Sequence, residues 1–215
     1  MNTIIIVNGP PGVGKDTFVD LATQILYSPT YSESTNKITQ VGYYTTSDMA
    51  KQAAALLGWD TYTKNDKIRL ALSNIKDLSD EVFNTTSNYL DQMINSTYLS
   101  AKKTANSEFV IFIVAREPKD IQRIVDTYSV QEGCSRCGEC CACDVHTVLI
   151  DSTRPDFEFA PSNHADSGVY DYNYDWVIYN DGTVDDFKKS ITAWLGAIGI
   201  INITNDEDKL KEVDN

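Results

Sequence analysis

A short apolar segment near the start of the chain runs directly into a glycine-rich loop and then into a helical pattern. Thr3–Val7 is apolar and rich in β-branched residues, as in a buried strand. The loop reads Gly9-x4-Gly14-Lys15, and apolar residues at positions 18, 21, 22 and 25 then recur with helical spacing. Glycines let backbone N–H groups turn inward around phosphate oxygens, and a helix N-terminus adds a partial positive charge. This order predicts a phosphate-binding P-loop rather than an ordinary Gly/Pro turn.

The loop also supplies candidate ligands for a nucleotide and its metal. Lys15 would bring a cation to the β- and γ-phosphates. The next position, which usually holds Ser or Thr, carries Asp16, and Thr17 follows it. Mg²⁺ prefers oxygen ligands, so Asp16 and Thr17 are the candidate magnesium ligands, directly or through water. The nucleotide-binding residues predicted in the loop are Gly9, Gly12, Gly14, Lys15, Asp16 and Thr17.

Strand and helix patterns alternate along the rest of the chain. A helical pattern covers almost all of Asp66–Ala101, and Pro118 suits the first turn of another helix. Alternation of this kind predicts an α/β fold built on a parallel sheet with right-handed crossovers. Four further strands are predicted, at Lys37–Thr45, Phe109–Val114, Thr147–Ile150 and Trp176–Tyr179.

Composition argues against several classes of function. The formal net charge is −13, and long nucleic-acid footprints require a basic stripe, so we do not expect a polymer-binding protein. The longest apolar runs, Phe109–Ala115 and Trp194–Ile201, fall short of the ~20 residues of a membrane-spanning helix. The first residues lack the basic region and long apolar core of a secretion signal, which predicts a cytoplasmic location.

All five cysteines lie within ten positions of one another. In a reducing compartment such a cluster indicates free thiols or a metal site before it indicates disulfides. Four thiolates could hold Zn²⁺, although compact zinc sites usually separate two Cys-x2-Cys pairs by a longer spacer. Free thiols on an inserted loop are the alternative. The candidate zinc ligands are Cys134, Cys137, Cys140 and Cys143.

Seven short segments resemble, in the same order, motifs of the phage and bacterial deoxynucleoside monophosphate kinases. They begin with the Gly-Lys-Asp-Thr form of the P-loop and end with a signature around the last predicted strand, and the likeness covers about residues 3–195. The segments are Gly14–Thr17, Ser47–Lys51, Lys64–Arg69, Leu72–Leu78, Arg116–Pro118, Asn163–Ser167 and Asp175–Thr183.

This resemblance implies a P-loop nucleoside monophosphate kinase fold: a five-stranded parallel sheet flanked by helices, with a helical acceptor-binding insertion and a lid. The count of predicted strands agrees with it. It further implies transfer of the γ-phosphoryl group of ATP, with Mg²⁺, to a (deoxy)nucleoside monophosphate. The expected organisation is one kinase domain over residues 1–205, followed by a charged tail at 206–215. Within the domain we expect the insertion at about 46–105, a Cys-rich insertion at about 129–146 and a lid region at about 152–174.

Cations are the main candidates for catalysis, because transfer to a phosphate acceptor needs charge neutralisation and alignment more than a base. Lys15 and Arg116 are therefore candidate catalytic residues, and Asp16 joins them as a candidate ligand of the magnesium ion. Arg116 qualifies because ligands in such sheets bind at the carboxyl ends of strands. By resemblance, the loop of Asn180, Asp181 and Gly182 lies near the donor base, although a turn with a helix cap explains its composition equally well. The candidate acceptor-binding residues are Asp48, Lys51, Lys64, Asp66, Arg69, Arg116 and Arg154.

Two other functions compete with this hypothesis. A P-loop kinase acting on the hydroxyl of a modified, for example hydroxymethylated, base in DNA would require a general base, for which Asp16 or Asp48 could serve. A regulatory NTPase that transfers no phosphoryl group would require a residue that positions water. Several candidate residues also have plain structural interpretations, as helix caps for Asp48 and Asp66 and as charged surface for Lys64 and Arg69. The expected partner is a small nucleotide, and the oligomeric state, homodimer included, stays open.

Overall fold

The structure is a computed structural model that describes residues 2–29, 38–60, 65–103, 108–129, 143–159 and 164–202. Its centre is a sheet of five parallel strands in the order β2-β3-β1-β4-β5. The predicted α/β fold with a five-stranded parallel sheet is confirmed. The strands are β1 (Asn2–Asn8), β2 (Ile38–Thr45), β3 (Glu108–Val114), β4 (Cys143–Asp151) and β5 (Trp176–Tyr179).

Helices cover both faces of this sheet. Alternate residues of β1 point to opposite sides, where Ile5 and Val7 join one apolar core and Ile4 and Ile6 the other. No helix within the described ranges is long and apolar enough to cross a membrane. The helices are α1 (Lys15–Leu26), α2 (Asp48–Leu56), α3 (Asp66–Phe83), α4 (Thr85–Lys102), α5 (Pro118–Tyr128), α6 (His164–Ser167) and α7 (Val184–Ala197).

Aromatic packing fixes α1 against the sheet and against α7. Phe18 is fully buried, and its ring centroid lies 5.5 Å from that of Trp194 and 6.3 Å from those of Phe112 and Phe187. Phe112 belongs to β3, whereas Phe187 and Trp194 belong to α7. The helix that follows the glycine-rich loop is therefore held on two sides by large apolar contacts.

Strand register brings the carboxyl ends of three strands to the same level. Val7 of β1 pairs with Val114 of β3, which in turn pairs with Thr45 of β2. Val7 also pairs with Val148 of β4 on its other side. The residues that follow β1, β2 and β3 therefore emerge side by side, and this edge carries the glycine-rich loop.

The helical region between β2 and β3 differs in detail from the sequence prediction. The long helical pattern is broken at Asn84, whose backbone adopts a left-handed conformation (φ 50°) that Asn tolerates better than most residues. Val82, an apolar residue within that helical pattern, is 58% exposed. Strand β4 begins at Cys143, four residues earlier than predicted, because pairing with β1 extends to Asn2.

Helix α7 begins with a reciprocal cap that offers a test of the fold. Thr183 Oγ1 accepts from the Asp186 N–H at 3.2 Å, and the Asp186 carboxylate accepts from the Thr183 N–H at 3.2 Å. We expect Thr183→Ala to lower the free energy of unfolding by about 1 kcal/mol in urea denaturation, because one helix N–H loses its partner. Ser190→Ala, on an exposed part of the same helix, should leave stability unchanged or slightly higher. Equal stability of the two variants would contradict the capping role.

Candidate functional site

The loop after β1 has a backbone that requires glycine at two positions. Gly9 and Gly14 both have positive φ angles, of 153° and 105°. A Cβ on Gly9 would collide with the backbone oxygen of Ile150 in β4, and one on Gly14 would lie 2.6 Å from Asn180 Nδ2. The loop is therefore packed tightly between the ends of β4 and β5 and the start of α1, as the P-loop motif predicts.

Lys15 is the first residue of α1, and its side chain folds back over the loop. Its Nζ donates to the carbonyl oxygens of Gly9 at 2.6 Å and of Pro10 at 2.8 Å. Burial and the nearby Arg116 guanidinium lower the pKa of Lys15 to about 7, although Asp166 and Asp16 act in the opposite direction. Both effects disfavour the protonated ammonium form of Lys15. An anion next to Lys15 would offset them, so the site is suited to an anionic ligand.

Arg116 follows the end of β3 and is held at both its backbone and its side chain. Its carbonyl oxygen accepts from Asn8 Nδ2 at 3.1 Å, so β1 fixes the backbone. Its Nη1 donates to Asp166 Oδ1 at 3.0 Å, and Asp166 is only 1% exposed. Strand register therefore places the arginine beside the lysine of the loop, and a buried carboxylate orients its side chain.

Lys15 and Arg116 line the same cavity, whose volume is about 410 Å³. Among the described residues that line it, five are basic and two are acidic, in a chain whose net charge is −13. Such a local excess of positive charge in an acidic protein indicates an anionic ligand. The charged lining residues are Lys15, Asp16, Lys51, Arg69, Lys76, Arg116 and Glu117.

Helix α3 forms one wall of the cavity through residues spaced at helical intervals. Arg69, Ser73 and Lys76 lie along one face, with the apolar side chains of Ile68 and Leu72 beside them. Ser73 Oγ is buried and has no hydrogen-bond partner among the described residues. This wall therefore combines cationic, hydroxyl and apolar groups, a set suited to a ligand with both a charged and an apolar part.

Lys76 is the one buried residue of α3, and its ammonium group sits among carboxylates of two helices. The distances from Nζ are 3.0 Å to Asp120, 3.2 Å to Asp80 and 3.4 Å to Glu117. These carboxylates raise the pKa of Lys76 despite its burial. The cluster joins α3 to the start of α5, one residue after Arg116, and so fixes the two walls of the cavity relative to each other.

Tyr43 is a site residue that the sequence analysis missed. It lies on β2 and lines the cavity, and its hydroxyl donates to Asp16 Oδ1 at 2.9 Å. Burial and the Asp16 carboxylate raise the pKa of Tyr43, so the phenol stays protonated and keeps donating. No motif marks this tyrosine in the sequence. Its place on the strand next to β3 is the signal that could have identified it.

Three predicted acceptor-binding residues are not among the described residues lining the cavity. Asp48 accepts from the N–H of Thr45 at 2.7 Å and from its hydroxyl at 2.6 Å, which closes the turn between β2 and α2. Asp66 is exposed in the first turn of α3. Arg154 Nε donates to Ser152 Oγ at 3.2 Å.

Lys64 lies outside the described residues, whereas Lys51 and Arg69 do line the cavity.

The predicted donor-side loop contacts the P-loop from the β5 side. Asn180 Nδ2 donates to the carbonyl oxygen of Val13 at 2.9 Å. Asp181 accepts from the N–H and hydroxyl of Thr153, at 2.6 and 2.7 Å, and these bonds lower its pKa. Gly182 packs against Asp186 in the cap of α7. These contacts match the turn-and-cap interpretation, and they place the loop next to the phosphate-binding backbone.

The structure gives the zinc hypothesis no support. Cys134, Cys137 and Cys140 lie outside the described residues, and Cys143 is buried at the start of β4. Within the described part of the chain, no group of three or more His, Cys, Asp or Glu residues could hold a metal ion.

Comparisons with known proteins return remote structural likenesses. No protein-family model matches the chain, and no curated protein sequence matches it. A dephospho-CoA kinase from Campylobacter jejuni is similar in structure, with a TM-score of 0.43 and 12% identity over 92% of this chain and 97% of that one. FlhF complexed with GMPPNP and Mg²⁺ is similar with a TM-score of 0.29 and 13% identity, over 88% of this chain and 62% of that one. The α/β sheet and the glycine-rich loop described above are themselves those of a P-loop NTPase fold.

A matched pair of glycine substitutions tests the packing of the loop. We expect Gly9→Ala to lower the free energy of unfolding by about 2–6 kcal/mol, because overpacking and backbone strain each cost about 1–3 kcal/mol. Gly12→Ala shares the positive φ, at 81°, but its Cβ would meet nothing within 4 Å. It should therefore cost only about 1–2 kcal/mol. Urea denaturation of both variants measures the difference, and equal losses would contradict the tight packing at Gly9.

The pKa of Lys15 is directly measurable in the free protein. We expect NMR of ¹³Cε-labelled lysines, without added metal or nucleotide, to show one resonance that titrates at about pH 7, because burial and Arg116 favour the neutral amine. That resonance should be absent in Lys15→Ala, and its pKa should rise in Arg116→Gln. A Lys15 that titrates near 10 would contradict the burial of its ammonium group.

Proposed function

We propose that the protein is an ATP-dependent kinase that transfers the γ-phosphoryl group to a (deoxy)nucleoside monophosphate. The observation that carries the proposal is the convergence on one cavity of Lys15 from α1, Arg69 from α3 and Arg116 from the segment after β3. Two phosphate groups must meet during such a transfer, and their combined negative charge requires several cations placed around them.

The P-loop would hold the donor. Its backbone N–H groups and Lys15 would bind the β- and γ-phosphates, with the N-terminus of α1 adding partial positive charge. Asp16 and Thr17 both line the cavity next to Lys15, and their oxygen atoms fit a hard cation such as Mg²⁺. When bound there, Mg²⁺ would neutralise phosphate charge. Asn180 and the neighbouring Asp181 and Gly182 would lie on the donor side, where Asn180 already contacts the loop.

The wall formed by α3 would hold the acceptor. Arg69 would bind its phosphate, together with Arg116 and Lys51, because all three line the cavity. Ile68 and Leu72 offer an apolar surface for a nucleoside next to these cations. This side-by-side arrangement supports a nucleotide as the acceptor more than a bare anion.

The state of the cavity carboxylates supports a phosphate acceptor over an alcohol. A hydroxyl acceptor requires a general base, whereas a phosphate oxygen is already anionic. Asp16 accepts from the Tyr43 hydroxyl, and Glu117 is paired with Lys76 and Lys119. These pairings lower the pKa of Glu117 and make it a weak base. The motif resemblance to deoxynucleoside monophosphate kinases points in the same direction.

ADP release across a panel of acceptors tests the proposal. With Mg·ATP, we expect a rate that depends on one or a few of the common ribo- and deoxyribonucleoside monophosphates. Lys15→Ala should lower kcat/KM by about 10²–10³-fold, since it removes one preorganised cation from the transferring group. Lys188→Ala, which changes an exposed lysine of α7, is the matched control and should leave the rate unchanged.

Other results would select the competing functions. ATP binding with no monophosphate-dependent rate would contradict the proposal. A rate that appears only with DNA carrying a hydroxymethylated base would support the DNA kinase, and acceptor-independent hydrolysis would support a regulatory NTPase. The control variant separates these results from loss of the folded protein.

A further inference from the structure

Two cations of the cavity repel each other. Besides burial, Arg116 lowers the pKa of Lys15, and Arg69 has the same effect to a smaller extent. The carboxylates that oppose this effect are Asp166, from α6, and Asp16, from α1. Asp166 pairs directly with Arg116, with 3.0 Å between the Asp166 Oδ1 and Arg116 Nη1 atoms. Asp166 is therefore the counter-charge that allows the two cations to stand side by side.

Asp166 is far more buried than its partner. The carboxylate side chain is 1% exposed, whereas the Arg116 side chain is 38% exposed and lines the cavity. The Arg116 guanidinium is therefore partly accessible from the cavity, whereas the carboxylate that pairs with it is shielded from solvent. A buried ion pair adds little net stability compared with apolar packing, so orientation is the physical gain that it offers.

The segment that follows Asp166 also reaches the Arg116 backbone. Tyr174 OH accepts from Asn8 Nδ2 at 2.7 Å and donates to the Val169 carbonyl oxygen at 2.7 Å. The same Asn8 amide donates to the Arg116 carbonyl oxygen, and its Oδ1 accepts from the Gly9 N–H at 2.8 Å. The segment 166–174 thus contacts Arg116 in two ways, through a side-chain ion pair and through a chain of hydrogen bonds that starts at the P-loop.

We propose that Asp166 is the positioning residue for Arg116, which it holds in the orientation needed to neutralise the transferring phosphoryl group. This inference rests on the proposed kinase function and names a residue for it that the sequence analysis did not select. Asp166 does not contact the substrates itself. It acts through Arg116, with Asn8 and Tyr174 fixing the backbone of the same residue.

A double-mutant cycle with Asp166→Asn and Arg116→Gln tests the proposal in the acceptor-dependent assay. Asp166→Asn should lower kcat by about 10- to 100-fold, the range found when outer partners of site residues are removed, with little change in the acceptor KM. In the Arg116→Gln background the same substitution should cause no further loss, because its effect passes through the arginine. Asp171→Asn, an exposed carboxylate of the same segment, is the matched control and should keep wild-type kcat.

Losses that multiply in the double variant would overturn the proposal, as would wild-type kcat in Asp166→Asn. Thermal unfolding of each variant identifies a loss of activity that comes from a loss of fold.

A second measurement decides the proposal without any turnover. In the NMR spectrum of the substrate-free wild-type protein, the resonance of the Arg116 Nη1 protons, assigned by its absence in Arg116→Gln, should be resolved from the other Nη–H resonances and slow to exchange with solvent, because Nη1 donates to Asp166. In Asp166→Asn it should be averaged by rotation and exchange. A freely rotating Arg116 guanidinium in the wild-type protein would overturn the positioning role even if Asp166→Asn does not fold. Failure of the acceptor panel with a rigid Arg116 would instead count against the kinase function alone.

Discussion

The whole site depends on holding like charges together at one edge of a parallel sheet. Lys15 lies just beyond the loop that follows β1, and Arg116 lies just after β3. Because β1 and β3 are adjacent and in register, the fold brings the two cations close to each other. Burial adds to the cost, as the lowered pKa of Lys15 shows. A ligand with several negative charges removes both penalties at once. Under the proposed function, relief of these penalties would favour the binding of a polyanion.

Much of this arrangement was predictable because it depends on local sequence and on strand order. The P-loop is a continuous motif, and the apolar run of β3 followed by Arg116 places the arginine by the rule that ligands bind at the carboxyl ends of strands. Both predictions require only that the strands be parallel and adjacent. Arg69 lies on a helix whose periodic pattern can be recognised in the sequence, so the helix that forms this wall of the cavity could also be predicted.

The contacts that hold these residues in place were beyond sequence reasoning. Asp166 pairs with an arginine 50 positions away, and Tyr43 bonds to Asp16 across 27 positions. Such pairs depend on which distant segments meet in space, and no periodic pattern in the sequence specifies the partner of an individual side chain. For Asp48 the sequence left a structural role and an acceptor contact both open; its carboxylate closes a turn three residues back, and the acceptor contact stays a prediction. Polar side chains at strand ends serve local turns and distant ligands equally well.

The charge clusters around the cavity differ in what they can do. Lys76 is enclosed by three carboxylates of α3 and α5, so its charge is neutralised within the protein and its contribution is to hold the walls together. Arg116 has a single described ion-pair partner and an exposed side, so its charge remains available to a ligand. The number of carboxylates around each cation thus separates a lysine whose charge is balanced within the protein from an arginine that can interact with a ligand. In a chain with 31 acidic residues, only Asp16 and Glu117 are acidic among the described residues that line the cavity, so the positive charge there depends on few carboxylates as well as on several cations.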